Sequence, residues 1–186
     1  MREWCAWRDV GIIIDVAVNI SVQSLDDARF PDWVEALCRE YGLRCRHLII
    51  ELTESAAQHA VKLMDGMARL RLKGVKISLD DFGTGYSSLT QLHQLPFNEI
   101  KIDRHFVCDA DTSWDSRVIV KSIIDLAHNL EMTVTAEGIE RLPVLDLLTS
   151  LGCDQAQGFL LGEPMAGIEL PAWLQRRDSG LLQHVG

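Results

Sequence analysis

The stretch KISLDDFGTGYSS, residues 76–88, decides how the rest of the chain is read. Ile77 and Leu79 alternate with Lys76 and Ser78, which is the period of a strand. The strand ends in two adjacent carboxylates, Asp80 and Asp81. A glycine turn follows, Phe82-Gly83-Thr84-Gly85, and then Ser87-Ser88, which read as the opening of a helix. Glycine lets a backbone come close to a ligand, and acids at a strand tip suit a hard cation. Asp also serves simply as a turn or cap residue. The pair therefore gains its meaning from what stands at the other strand ends.

Outward from this stretch, strand-like and helix-like runs alternate. Residues 1–10 read as the last turns of a helix closed at Gly11, which suggests a segment upstream. Residues 12–20, IIIDVAVNI, are nearly continuous in β-branched residues, as in a parallel strand buried on both faces. A helix is predicted over 26–41, with Val34, Leu37 and Cys38 on one face and Gly42 as its stop. Strand 47–53 ends in Glu51-Leu52-Thr53-Glu54, and Ser55 is read as the cap of a helix reaching residue 72. Leu63, Met67 and Leu70 form that helix's core stripe. After strand 75–80 come a helix over 87–94 and a strand over 99–103, in which Lys101 faces away from Ile100 and Ile102. A helix over 115–130 shows Val118, Ile119, Ile123 and Leu126 as its apolar face. Strand 132–136, helix 142–151, a weak strand over 155–160 and helix 168–176 complete the series, and the residues after Ser179 read as a frayed tail.

Such alternation means an α/β fold with a parallel sheet. An open doubly wound sheet draws its functional groups from the two or three strands at a switch point. Here the candidates stand at all six strand ends: Asn19, Glu51, Asp80 with Asp81, Lys101, Glu137 and Gln157. A ring of groups fits a TIM-type β/α barrel, whose site is built on that face. A full barrel has eight units, so the expected fold is an incomplete barrel, a single domain over residues 1–186 lacking its N-terminal portion.

With 47% hydrophobic and 24% charged residues, the composition is that of a globular protein. The net charge of −9 excludes non-specific nucleic-acid or membrane-surface binding as a leading function. Five scattered cysteines without a Cys-x-x-Cys read as reduced thiols of a cytoplasmic protein, and no apolar run is long enough to span a bilayer. Crowded carboxylates would repel and raise one another's pKa, and divalent cations are the usual solution. Oxygen-only donors favour Mg²⁺, Mn²⁺ or Ca²⁺ over zinc, and the six histidines are too scattered for a ligand set. Several carboxylates with one lysine suggest a two-metal site that cleaves a phosphodiester, Lys101 holding the water or the phosphate. Glu54, three residues after Glu51, reads either as an acid favoured in the first turn of a helix, the commoner case, or as an acceptor for backbone N–H groups of the Gly83–Ser88 loop.

The segments NIS, ELTES, LDDFGTGYSS, IKIDRHFV, TAEGIE and QGFLLGEPM, in this order, resemble the EAL domain, the bacterial cyclic di-GMP phosphodiesterase family. The resemblance covers essentially the whole chain. It implies a β/α barrel and metal-dependent hydrolysis of cyclic di-GMP to linear pGpG, with Mg²⁺ or Mn²⁺ as cofactor and Ca²⁺ substituting or inhibiting. By motif, Asn19, Glu51, Asp80 and Glu137 resemble metal ligands, with Asp81 bordering the second metal and the substrate. Lys101 resembles the lysine that positions the hydrolytic water, and Glu140 and Gln157 resemble its active-site and substrate-binding partners. Glu54 resembles the glutamate that holds the DDFGTG loop, a loop the family also uses for homodimers, here residues 81–88. A sensory or GGDEF-type domain upstream is implied as possible. Two departures stand out. The family's first strand, with its namesake Glu-Ala-Leu and an arginine, is missing from the six units, and Phe159 replaces a usual tyrosine. A non-hydrolysing cyclic di-GMP receptor is the alternative for a chain without that strand. A sugar hydrolase needs only two carboxylates and leaves Asn19, Lys101 and the glycine loop unexplained.

A barrel without its first strand exposes sheet edges, and unpaired edges pair with other chains. Size-exclusion chromatography with light scattering should therefore show concentration-dependent association; a monomer at high concentration would contradict it.

Overall fold

The computed structural model describes residues 1–57, 60–85 and 89–178. The helix start expected at Ser87-Ser88, part of the loop 81–88 and the tail after Ser179 lie outside them. Six parallel strands run β1 (Val16–Asn19), β2 (Leu48–Thr53), β3 (Lys76–Phe82), β4 (Glu99–Ile102), β5 (Thr133–Ala136) and β6 (Gln155–Ala156). Their order in the sheet is their order in the sequence, so each crossover moves one strand onward and none returns. The sheet curls into a half-barrel. The helices are α1 (Arg2–Asp9), α2 (Val22–Asp26), α3 (Phe30–Glu40), α4 (Glu54–Ala57), α5 (Ala60–Leu72), α6 (Leu89–Gln94), α7 (Arg104–Val107), α8 (Trp114–Asn129), α9 (Leu142–Leu151) and α10 (Leu170–Asp178).

Strand alternation splits the sheet chemically. Ile50, Leu52, Ile77, Leu79, Ile100, Ile102, Val134 and Ala136 are buried on one side in a single apolar core. The stripe Leu63, Met67 and Leu70 of α5 is fully buried in that same core. The alternate positions, Glu51, Ser78, Glu99, Lys101 and Thr135, are polar and also buried. The strands are thus not uniformly apolar; they carry one face for packing and one for chemistry.

Several elements differ from the sequence reading. The first strand begins only at Val16, because the residues before it tie back to α1: Ile12 N donates to Trp7 O at 2.9 Å, and Trp4 Nε1 donates to Ile14 O at 3.1 Å. It is also an edge strand, and three of its four residues are exposed rather than buried on both faces. The helix expected over 26–41 begins only at Phe30, as α3, and the short α2 ends at Asp26 before it. Asp27 interrupts it by accepting from the backbone and guanidinium of Arg29. Helix α4 starts at Glu54, so Ser55 is not its cap. On α8 the buried residues are Val120, Ile123, Ile124 and Ala127, while Val118 and Ile119 are exposed. The letters Glu35-Ala36-Leu37, with Arg39 close behind, do occur in this chain, but inside α3. There Glu35 pairs at 2.6 Å with Lys73, the residue after α5, so the string belongs to the packing of α3 and not to a strand tip.

Helix α1 is also tied to the segment before α10: Trp7 Nε1 donates to Gly167 O at 2.7 Å. Among the described residues, no helix is long and apolar enough to cross a membrane.

Ile100 is fully buried at the centre of the sheet. Ile100→Ala should cost about 2–5 kcal/mol in urea unfolding, with an unchanged m-value.

Candidate metal centre

The C-terminal ends of β2 to β5 bring four of the expected side chains together. Lys101 of β4 directs its ammonium at Glu51 Oε1 (2.9 Å), Asp80 Oδ1 (3.3 Å) and Glu137 Oε1 (2.5 Å). Glu51 and Lys101 are buried, and Asp80 and Glu137 half-buried. Burial by itself would lower the Lys101 pKa, but the hydrogen bonds to Glu137 and Glu51 outweigh it and hold the pKa above its ordinary value. Burial raises Glu137; Lys101 opposes this, while the charges of Asp80 and Glu51 add to it.

Asp80 and Asp81 are neighbours in sequence, so a regular strand would send them to opposite faces. The β3–β4 register instead shifts between Leu79 and Phe82, and Asp81 takes φ +56°. This irregularity turns both acids to one rim. Asp80, Asp81 and Glu137 each offer an oxygen within 4.8 Å of the others. Burial raises Asp81, followed by the charges of Asp80 and Asp103, and Asp81 also shares a hydrogen bond with Asp103. The donors are all carboxylate oxygens in a partly buried, negatively charged place, which fits a hard divalent cation. Among the described residues, Asp80, Asp81 and Glu137 form a group of this kind.

The loop behind the acids is fixed by Glu54, which is buried and accepts from Gly83 N (3.0 Å) and Gly85 N (2.9 Å). Gly83 has φ +103°, and a Cβ there would lie 2.7 Å from the Phe106 ring. Gly138, with φ +70°, follows Glu137 and is pressed against Arg104, whose Cβ would lie 2.5 Å from an added one. Arg104 and Phe106 both belong to α7, an element the sequence reading missed.

The other expected residues stand at strand ends without joining the cluster. Asn19 closes β1 in register with Glu51 and is exposed. Gln157 and Glu140 are also exposed. Among the described residues, the side chains of all three make no hydrogen bond or ion pair with Lys101 or its acids. Gln157 is anchored through its backbone, its N donating to Ala136 O at 2.8 Å and its O accepting from Ile139 N at 3.0 Å. One site residue was overlooked. Asp103 is buried, caps α7 and accepts from His105 N at 2.8 Å. Burial would raise its pKa, but the His105 hydrogen bonds draw it below the usual carboxylate range. Its place two residues after Lys101, on the same alternation, was the available signal.

Curled parallel sheet and acidic rim together define a β/α-barrel protein with an oxygen-donor site at the C-terminal ends of its strands. The chain belongs to the EAL domain family, which residues 1–164 match. It is 40% identical over 173 residues to the bifunctional diguanylate cyclase/cyclic di-GMP phosphodiesterase MucR of Pseudomonas aeruginosa, covering 92% of this chain and 25% of that protein. The EAL domain of Mycobacterium smegmatis DcpA superposes with a TM-score of 0.88 at 34% identity, over 94% of this chain and 79% of that one. Klebsiella pneumoniae BlrP1, solved as a manganese/cyclic di-GMP complex, superposes with a TM-score of 0.77 at 31% identity, over 85% and 41%. The chain thus spans about a quarter of the curated relative's length.

Glu54→Ala removes two charge-assisted hydrogen bonds from Gly83 and Gly85. Amide exchange at those two glycines should quicken by about 10- to 100-fold, read by hydrogen–deuterium exchange, with little change in β4.

Proposed function

We propose that this chain is the EAL-domain part of a metal-dependent phosphodiesterase that hydrolyses cyclic di-GMP to linear pGpG in bacterial second-messenger signalling. The observation that carries the reading is the Lys101 ammonium held among Glu51, Asp80 and Glu137, with Asp81 at the same rim. Relatives named as cyclic di-GMP phosphodiesterases support the substrate. The neighbours solved with calcium or manganese support the cofactor class.

Asp80, Asp81 and Glu137, with Glu51 and Asn19 from the adjacent strands, would hold Mg²⁺ or Mn²⁺. When bound, such ions lower the pKa of water and neutralise charge on a phosphoryl oxygen. The other groups orient and confine. Lys101 stays charged, so it places the attacking water and offsets the negative charge that grows on the phosphate. Glu54 keeps the Gly83–Gly85 backbone fixed behind Asp80 and Asp81, so the acids keep their bearing. Glu140 and Gln157 face solvent at the ends of their segments, where a ligand laid across the rim meets them. Ca²⁺ accepts the same oxygens with looser geometry, and so substitutes or inhibits. The loop over residues 81–88 is proposed to serve a homodimer, and the protein to work in the cytoplasm.

Incubation of the chain, and of one extended upstream, with cyclic di-GMP and Mn²⁺ or Mg²⁺ should yield pGpG on chromatography. Asp80→Asn and Lys101→Ala should each lower the rate by about 100-fold or more. Binding of cyclic di-GMP with turnover in neither chain would replace this reading by the non-hydrolysing receptor.

A further inference from the structure

Beneath Lys101, on the same face of the sheet, lies a second polar group that the acidic rim does not use. Glu99 opens β4 and is 7% exposed. The hydroxyl of Thr135, itself 5% exposed, donates to Glu99 Oε1. Ser78 of β3 is in register with Glu99 and is fully buried. Alternation places it on the face of Asp80, away from Ile77 and Leu79. Among the described residues, the Ser78 hydroxyl has no hydrogen-bond partner. A buried hydroxyl left unpaired forfeits its hydration, and a buried carboxylate is normally paired or bound to a metal.

Lys101 is not the missing counter-charge. An ammonium has three donors, and Lys101 directs its ammonium at Glu51, Asp80 and Glu137. The one partner that Glu99 has among the described residues is the Thr135 hydroxyl, which is neutral. A carboxylate whose second oxygen has no protein partner, a buried hydroxyl without one and a second hydroxyl with spare lone pairs therefore stand on the same face of adjacent strands, Ser78 in register with Glu99 and Thr135 bonded to it.

We propose that Glu99, Ser78 and Thr135 bind a monovalent cation, Na⁺ or K⁺, on the floor of the sheet, apart from the rim of Asp80, Asp81 and Glu137. The donors are all oxygens, which selects a hard ion, and no imidazole or thiol is among them. They carry one formal negative charge, which one monovalent ion balances; a divalent ion is normally held by more than one carboxylate or keeps a shell of water. The ion takes the free oxygens of Glu99 and Ser78. It also screens Glu99 from the acids above it. The site stands on Glu99, Ser78 and Thr135 alone and holds whether or not the rim hydrolyses cyclic di-GMP.

The 186-residue chain is melted under circular dichroism in sodium, potassium or choline chloride at equal ionic strength, with a chelator to exclude divalent ions. The midpoint should be about 2–4 °C higher in sodium or potassium than in choline. The rise should vanish in Glu99→Gln and in Ser78→Ala and survive in Asp80→Asn. If Glu99→Gln does not fold, Ser78→Ala decides. Equal midpoints in all three salts overturn the proposal, and mean that water satisfies the group. A rise that survives in Ser78→Ala, or one lost in Asp80→Asn, overturns it as well by placing the ion elsewhere.

Discussion

One ammonium shared by three carboxylates is the interaction on which the functional face depends. Lys101 lies within 3.3 Å of oxygens on Glu51 of β2, Asp80 of β3 and Glu137 just after β5. Without it, acids from β2, β3 and the end of β5 would face one another in a partly buried place, and an unbalanced buried charge costs about 3–5 kcal/mol. With it, the cluster is still negative, and Asp81 and Asp103 add to that. The protein's positive charge is therefore insufficient by itself. The raised pKa of Glu137, caused first by burial and then by its acidic neighbours, reports the same shortage. Divalent ions would supply what is lacking.

The backbone is bent to serve this arrangement. The register shift in β3 and the left-handed Asp81 place two consecutive acids on one rim. Glu54 ties the following glycines from below. Helix α7 then works as a wedge between two acidic loops. Its Phe106 fills the space that a side chain at Gly83 would need, and its Arg104 the space at Gly138. Asp103 caps that helix and touches Asp81, so the loop after β3, the start of α7 and the turn after β5 form one packed unit. Rigid support of this kind keeps ligand oxygens in place before any ion arrives.

Much of this was legible in the residues. Alternation in IKID set Lys101 opposite Ile100 and Ile102, and the structure buries those two in the core and Lys101 among the acids. The six motifs identified the family. Other features depended on neighbours that a local reading does not see. The β-branched run over 12–20 reads as a central strand, yet it is shortened by hydrogen bonds to α1 and left at an edge. The apolar face assigned to α8 was rotated, since Val118 and Ile119 are as hydrophobic as the residues that do pack. Helix α7 has one turn and too few residues for a periodic signal. The string Glu35-Ala36-Leu37 shows the same lesson in reverse, because the letters match a motif while the helix they form points them at Lys73.

The sequence by itself determined the alternation of strand and helix, the set of acids and the lysine among them, because these follow from side-chain period and identity along a single segment. Only the tertiary structure decided which of those groups meet. Lys101, Glu51, Asp80 and Glu137 converge, while Asn19, Glu140 and Gln157 remain at the margin. Contact between strands depends on register, bulge and loop packing, and these are set by many distant residues at once.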